Sequence, residues 1–265
     1  MHLKRILSAA LLLPPLTLLI VYGAPFHLFL LCALAIALGL REFYALAEAK
    51  GLKPLKALGI AGGWILSLAL FQGSGAVGIA SALLVMATLS ALFFFADPKD
   101  ALPRAAATVL GVFYVAGLLS FPPLLRKLPG GEGYVLSLLF ITWVADTGAF
   151  YVGSCLGRRR LCPSVSPHKT VEGFLGGLLG SILASLVAKR WLLGFGFFHA
   201  LALGLLLGLL GQLGDLCESV LKRSAGAKDS GALIPGHGGL LDVVDSLLFT
   251  GPAMYLYLRV IESWR

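Results

Sequence analysis

Residues 76–95 read AVGIASALLVMATLSALFFF, twenty positions without a charge. An α-helix rises about 1.5 Å per residue, so a run of this length spans roughly 30 Å, the thickness of a bilayer's hydrocarbon core. Similar apolar runs occupy 6–22, 26–41, 57–72, 105–125, 134–155, 172–188, 197–217 and 240–260. In hydrocarbon every backbone amide must find its partner inside the protein, and a helix meets that demand within one segment. The expected fold is therefore all-α: a polytopic integral membrane helix bundle of about nine transmembrane helices.

Composition agrees. Of 265 residues, 58% are hydrophobic and 13% charged, with a mean hydropathy of +0.91. A soluble domain carries about a quarter charged residues. The 33 glycines suit membrane helices, which approach closely where side chains are small. The net charge of +8 sits in short loops between apolar runs, a pattern of membrane orientation and anionic headgroups rather than of nucleic-acid binding. Cys32, Cys155, Cys162 and Cys217 form no C-x-x-C pair, so neither a zinc site nor a disulfide framework is indicated.

Lys4-Arg5 ahead of the first apolar run resembles the start of a signal peptide. Pro14-Pro15 and the lack of a small-x-small cleavage site favour a retained span. With nine spans, the loops after the even-numbered ones hold thirteen of the Lys and Arg residues and the opposite side holds eight. This bias places the first group in the cytoplasm. Segment 41–56, REFYALAEAKGLKPLK, mixes charged and apolar residues at helical spacing; after a second span ending at 41 it either lies along the membrane surface or is a plain polar linker. Residues 1–130 form an N-terminal multi-span region with no sign of a buried charge; residues 131–265 carry the polar chemistry.

An ionisable group at membrane depth is costly and marks a candidate site. Asp146 lies inside the sixth apolar run, within ITWVADTGAFYVG. Asp215, Glu218, Ser219 and Lys222 stand three or four apart and share one helical face. Carboxylates and a hydroxyl suit a hard cation such as Mg2+, although Glu218 with Lys222 could equally be a simple ion pair. Asp242 and Asp245, three apart, open the last apolar run behind PGHGG; helix capping would explain one of them. Between these lies GRRRLCPSVSPHKTVEGFLGG, residues 157–177, where Lys169 and Thr170 precede a helix start suited to phosphate. Gly173, Gly176, Gly177 and Gly180 have the spacing of close helix packing. Physics alone leaves two classes open: phosphoryl or nucleotidyl transfer on a lipid, and a cation-coupled membrane transporter.

The segment from Ser219 to Ser246, SVLKRSAGAKDSGALIPGHGGLLDVVDS, resembles the signature of the phosphatidate cytidylyltransferase (CDP-diacylglycerol synthase) family. Ser219, Lys222, Arg223, Lys228, Asp229, Pro235, His237, Gly238, Gly239, Asp242 and Asp245 match it at the right spacing. WVADTGAFYVG and SPHKTVEGFLGG resemble the family's other two blocks. The resemblance implies that CTP and phosphatidic acid give CDP-diacylglycerol and pyrophosphate, with Mg2+ as cofactor; whether a second cation such as K+ joins it stays open. It implies Asp215, Asp242, Asp245 and Glu218 as the metal set. It implies Lys222 and Lys228 in the chemistry beside Asp215 and Asp242. Asp146, Ser166, Lys169, Thr170, Ser219, Arg223 and His237 would bind substrate. The expected location is the plasma membrane of a prokaryote, with the site facing the cytoplasm and the protein a homodimer. One departure stands out. Val243 occupies the place of the family's arginine between the two aspartates, and valine cannot replace a bidentate phosphate partner. A related lipid-phosphate cytidylyltransferase with altered substrate, or a silent family member, is the alternative this raises.

Overall fold

The computed structural model describes residues 2–95, 97–194, 196–234, 236 and 238–263. They form ten α-helices, one π-helical turn and one two-stranded hairpin. Six helices are long and apolar enough to cross a membrane: Pro25–Ala49, Gly75–Phe94, Pro98–Lys127, Gly131–Leu156, Val171–Trp191 and Phe197–Ser224. Leu11–Tyr22 and Lys56–Gln72 are apolar but shorter. The expected membrane helix bundle is thus present, amended by the hairpin.

The chain divides into two compact units. The first comprises residues up to Leu124 together with Leu221–Val243; the second comprises Leu125–Val220 and the residues from Val244 onward. The signature segment is therefore split: most of it packs with the N-terminal helices.

In the first unit the helices are α1 (His2–Tyr22), α2 (Pro25–Ala49), α3 (Lys56–Gln72), α4 (Ser74–Phe95) and α5 (Pro98–Gly111), followed by the π-helical turn Val112–Gly117 and α6 (Phe121–Lys127), whose end passes into the second unit. Helix α2 does not stop at 41. Residues 41–49 contain neither glycine nor proline, and the helix runs on until Gly51, at φ 85°, where the Gly51 and Leu52 amides return to the carbonyls of Glu48 and Ala47. The second run, expected to end at 41, thus continues as helix to Ala49 and carries Glu42. Helix α3 packs through glycine: a Cβ on Gly62 would come 2.5 Å from Leu84 Cδ1 and one on Gly63 2.7 Å from Leu40 Cδ1. The Tyr44 hydroxyl donates to the Thr108 carbonyl at 2.9 Å, and the Thr108 hydroxyl accepts from the Leu55 amide at 2.9 Å, tying the 50–55 turn to α5.

In the second unit α7 (Gly131–Leu156) leads into the hairpin β1 (Arg160–Cys162) and β2 (Ser166–Thr170), then α8 (Val171–Trp191). α9 (Phe197–Ser224) and α10 (Leu241–Ser263) each belong to both units along their length. The glycines of α7 and α8 face one another. A Cβ on Gly148 would lie 2.8 Å from the Gly176 carbonyl oxygen, one on Gly176 2.5 Å from Val152 Cβ, and one on Gly180 3.0 Å from the Val144 carbonyl oxygen. Two helix backbones meet here, which is what the glycine spacing predicts. The hairpin pairs Arg160 with Thr170 and Cys162 with Ser166, and the Glu172 carboxylate holds it by accepting the Arg158 amide at 3.0 Å and the Arg159 amide at 3.2 Å.

Candidate active site

In the first unit the signature segment folds around Asp242. Beyond α9 glycine permits the turns of the segment: Gly226, Gly236 and Gly238 have φ of 72°, 86° and 99°. Ile234 and Gly238 exchange both backbone bonds, at 2.8 and 3.1 Å, closing a tight loop. Asp242 Oδ1 receives the Lys222 ammonium at 2.6 Å. Its Oδ2 receives the Ser230 amide at 2.8 Å, the Ser230 hydroxyl at 2.9 Å and the Gly239 amide at 2.7 Å. The Lys222 and Asp242 side chains are only 11% and 8% exposed. At that depth an ion pair persists only when its desolvation is offset by such a set of hydrogen bonds.

A residue of the N-terminal half completes this knot. Glu42 accepts the Leu240 amide at 2.8 Å, the Leu241 amide at 2.9 Å and the Ser230 hydroxyl at 3.0 Å. Glu42 is half-buried, so residues 1–130, expected to carry no buried charge, nonetheless contribute a carboxylate to the signature segment. Ending the second span at 41 hid Glu42; the unbroken helix-forming run to Ala49 is the signal that would have kept it in the helix.

In the second unit carboxylates gather. Asp245 feels the charges of Asp215, Glu218 and Asp146, and Asp146 in turn feels Asp215 and Lys169. Lys169 pairs with Asp215 at 2.7 Å, both partly exposed. Ser246 contacts Asp146 at 3.4 Å. Glycine lets α9 reach this place: a Cβ on Gly214 would lie 2.7 Å from the Asp245 carbonyl oxygen. Glu218 and Ser219 are buried. Thr170 is the N-cap of α8, its hydroxyl accepting the Gly173 amide at 3.0 Å. Ser166 opens β2 and is partly buried.

The remaining expected residues fall in the first unit. Arg223 donates to the Ala227 carbonyl at 3.0 Å at the end of α9, and Lys228 is exposed. Val243 is 37% exposed. His237 and Pro235 lie outside the described residues.

Among the described residues no three His, Cys, Asp or Glu side chains close a metal cage by themselves. Mg2+ does not need one: it is commonly held by one or two carboxylates, with water and substrate phosphates completing the shell. Asp215, Glu218 and Asp146 near Asp245 offer carboxylate oxygens, the hard ligands that this ion prefers. In donor chemistry, though not as a closed cage among the described residues, these side chains suit such an ion.

Comparison with known proteins adds the following. A family model described as "Cytidylyltransferase family" matches residues 3–261. The chain is 35% identical, over 261 residues, to a Synechocystis protein named phosphatidate cytidylyltransferase, covering 86% of this chain and 87% of the relative. It is 44% identical over 133 residues to a Bacillus subtilis protein of the same name, covering 50% of this chain and 49% of the relative. It is 43% identical over 152 residues to an Escherichia coli K12 protein named "Uncharacterized protein YnbB", covering 57% of this chain and 50% of the relative. The chain thus spans about half the length of the last two and most of the first.

Proposed function

Because the chain belongs to the cytidylyltransferase family, we propose that it transfers the cytidylyl group of CTP to phosphatidic acid, giving CDP-diacylglycerol and pyrophosphate. The observation that carries this reading is the match along most of both chains to the Synechocystis relative, whose name states that activity. A membrane helix bundle is the right solvent boundary for such a pair of substrates, one embedded by its acyl chains and one dissolved in water.

The lipid phosphate oxygen attacks the α-phosphorus of CTP; the bond from that phosphorus to the β-bridging oxygen breaks, and pyrophosphate leaves with the electron pair. The attacking oxygen is already ionised, so no general base is required. The difficulty is bringing two anions together in line, which calls for positioning and charge neutralisation. Lys169, Lys222, Arg223 and Lys228 serve as phosphate partners, and Ser166, Thr170, Ser219 and His237 as hydrogen-bond partners. Lys169 and Asp215, 2.7 Å apart, give an incoming phosphate and an incoming cation one partner each. The carboxylates proposed to hold Mg2+ are Asp215, Asp245 and Glu218 of the second unit, where Asp146 also lies, and Asp242 of the first. Bound there, the ion neutralises phosphate charge and stabilises the leaving pyrophosphate.

The reading includes nine spans, catalytic chemistry drawn chiefly from residues 131–265, a cytoplasm-facing site in a prokaryotic plasma membrane, and a homodimer. Val243 favours one second reading, a related lipid-phosphate acceptor, because the family's guanidinium is missing from this position. Labelled CTP separates these. With label on the α-phosphate, radioactivity enters the organic phase; with label on the γ-phosphate, it stays in water as pyrophosphate. Transfer to another lipid phosphate but not to phosphatidic acid would favour the second reading, and no transfer to any lipid would defeat both.

A further inference from the structure

We propose that Glu42 is a positioning residue for this reaction: from the end of α2 it fixes the segment between Ser230 and Asp242, and through that segment the Lys222–Asp242 pair. The inference rests on the cytidylyl-transfer reading above.

The geometry is specific. The first amides of a helix have no acceptor within the helix, and its N-terminus favours an anion. Leu240 and Leu241 stand at the start of α10. Both of their amides end on the Glu42 carboxylate, one on each oxygen, at 2.8 and 2.9 Å, across about two hundred residues of sequence. The segment also leaves room for that carboxylate. A Cβ on Gly239 would lie 2.6 Å from Glu42 Oε2, and one on Gly231 would lie 3.0 Å from Oε1. Glycine at these two positions admits Glu42. Ser230 then links it onward, its hydroxyl 3.0 Å from Glu42 Oε2 and 2.9 Å from Asp242 Oδ2. A hydroxyl carries one proton and donates to one carboxylate at a time. The two backbone amides are therefore the firmer part of the hold, and Ser230 the weaker.

No other side chain reproduces this. Glutamine has one acceptor oxygen and one NH2 group, so in either orientation an amide N–H of α10 faces a donor. Aspartate keeps the charge but is one methylene shorter. Glu42 pairs with two backbone amides and with Ser230, which in turn meets Asp242, so it acts through Asp242 and Lys222.

The test uses the full-length protein in detergent with Glu42→Gln, Ser230→Ala and, as a control on the same helix, Glu48→Gln, whose carboxylate pairs with Lys56 at the surface. Three quantities are read: kcat and KM for CTP with phosphatidic acid, the rate of tryptic cleavage after Lys228, and the melting temperature. Glu42→Gln should lower kcat by roughly 100-fold, as misplacement of a site by about an ångström does, with a smaller change in KM. Ser230→Ala should cost about tenfold or less, the worth of one hydrogen bond. Cleavage after Lys228 should quicken in Glu42→Gln, while cleavage at Arg158–Arg160 and the Glu48→Gln values stay at wild type. Wild-type kcat and Lys228 cleavage in Glu42→Gln would overturn the proposal. So would faster cleavage at every site with a lowered melting temperature, which marks general destabilisation. If Glu42→Gln does not reach the membrane, Glu42→Asp and Ser230→Ala carry the same comparison. An inactive wild type would overturn the reaction reading, and cleavage after Lys228 would still decide whether Glu42 holds the segment.

Discussion

The Lys222 ammonium meets Asp242 Oδ1 at 2.6 Å with both side chains almost out of solvent. The pair joins the end of α9 to the start of α10. Three further donors, from Ser230 and Gly239, crowd the other aspartate oxygen. Removing one partner of a buried pair leaves a charge without compensation and costs about 3–5 kcal/mol, whereas neutralising both costs far less. Asp242→Asn should therefore lower the melting temperature and abolish turnover. The double variant Lys222→Met with Asp242→Asn should regain most of the lost stability and none of the activity. Thermal unfolding and CTP turnover on the same preparations check both parts.

Asp215 behaves differently. Its pair with Lys169 is partly exposed, with side-chain exposures of 34% and 26% for aspartate and lysine. The pair is more accessible than Lys222–Asp242, although the Lys169 ammonium nitrogen itself is out of solvent. Asp215→Asn should destabilise less than Asp242→Asn yet lose turnover, because Asp215 is assigned to the ion rather than to the fold. A titration of activity with Mg2+ is the check; near-normal turnover at limiting Mg2+ would remove Asp215 from the metal set.

Val243 sits among the signature residues but is 37% exposed, so it fills no tight pocket in the first unit. Val243→Arg should fold and should leave kcat/KM unchanged or raised, because a guanidinium adds a phosphate partner. A large loss would mean that the acceptor site is shaped around valine. Steady-state kinetics with several lipid phosphates measures this.

The α7–α8 contact admits no side chain at Gly148, where a Cβ would lie 2.8 Å from the Gly176 carbonyl oxygen. Backbone cannot rotate away as a side chain can. Gly148→Ala should cost about 1–3 kcal/mol, the usual scale of overpacking. Gly194→Ala, with no atom within 4 Å of its new Cβ, should be neutral to packing. Melting temperature in detergent compares the two.

Much of this was legible before any coordinates. Long uncharged runs announce membrane helices because hydrocarbon forbids unsatisfied amides. The glycines of α8 announced close packing, and α7 supplies their partner. The limits were equally physical. Charge marked the end of the second run at Arg41, but charge does not end a helix, and residues 41–49 simply continue it. Glu42 was lost with that boundary. The hairpin at 160–170 was hidden inside a basic loop, where no alternation of apolar residues betrays a short pair of strands. The signature from Ser219 to Asp245 could be read as a block, but not the donors that each aspartate receives, since hydrogen-bond partners of loop amides depend on turns set by Gly236 and Gly238. Nor could spacing reveal that the block divides between two packing units.

The most direct measurement is incubation of the purified protein with labelled CTP, phosphatidic acid and Mg2+, following lipid-soluble cytidine and released pyrophosphate together, with EDTA in a parallel sample. The account predicts equimolar appearance of both products, abolished by EDTA and restored by excess Mg2+. Folded protein that binds CTP yet forms no lipid-linked cytidine from phosphatidic acid would contradict it.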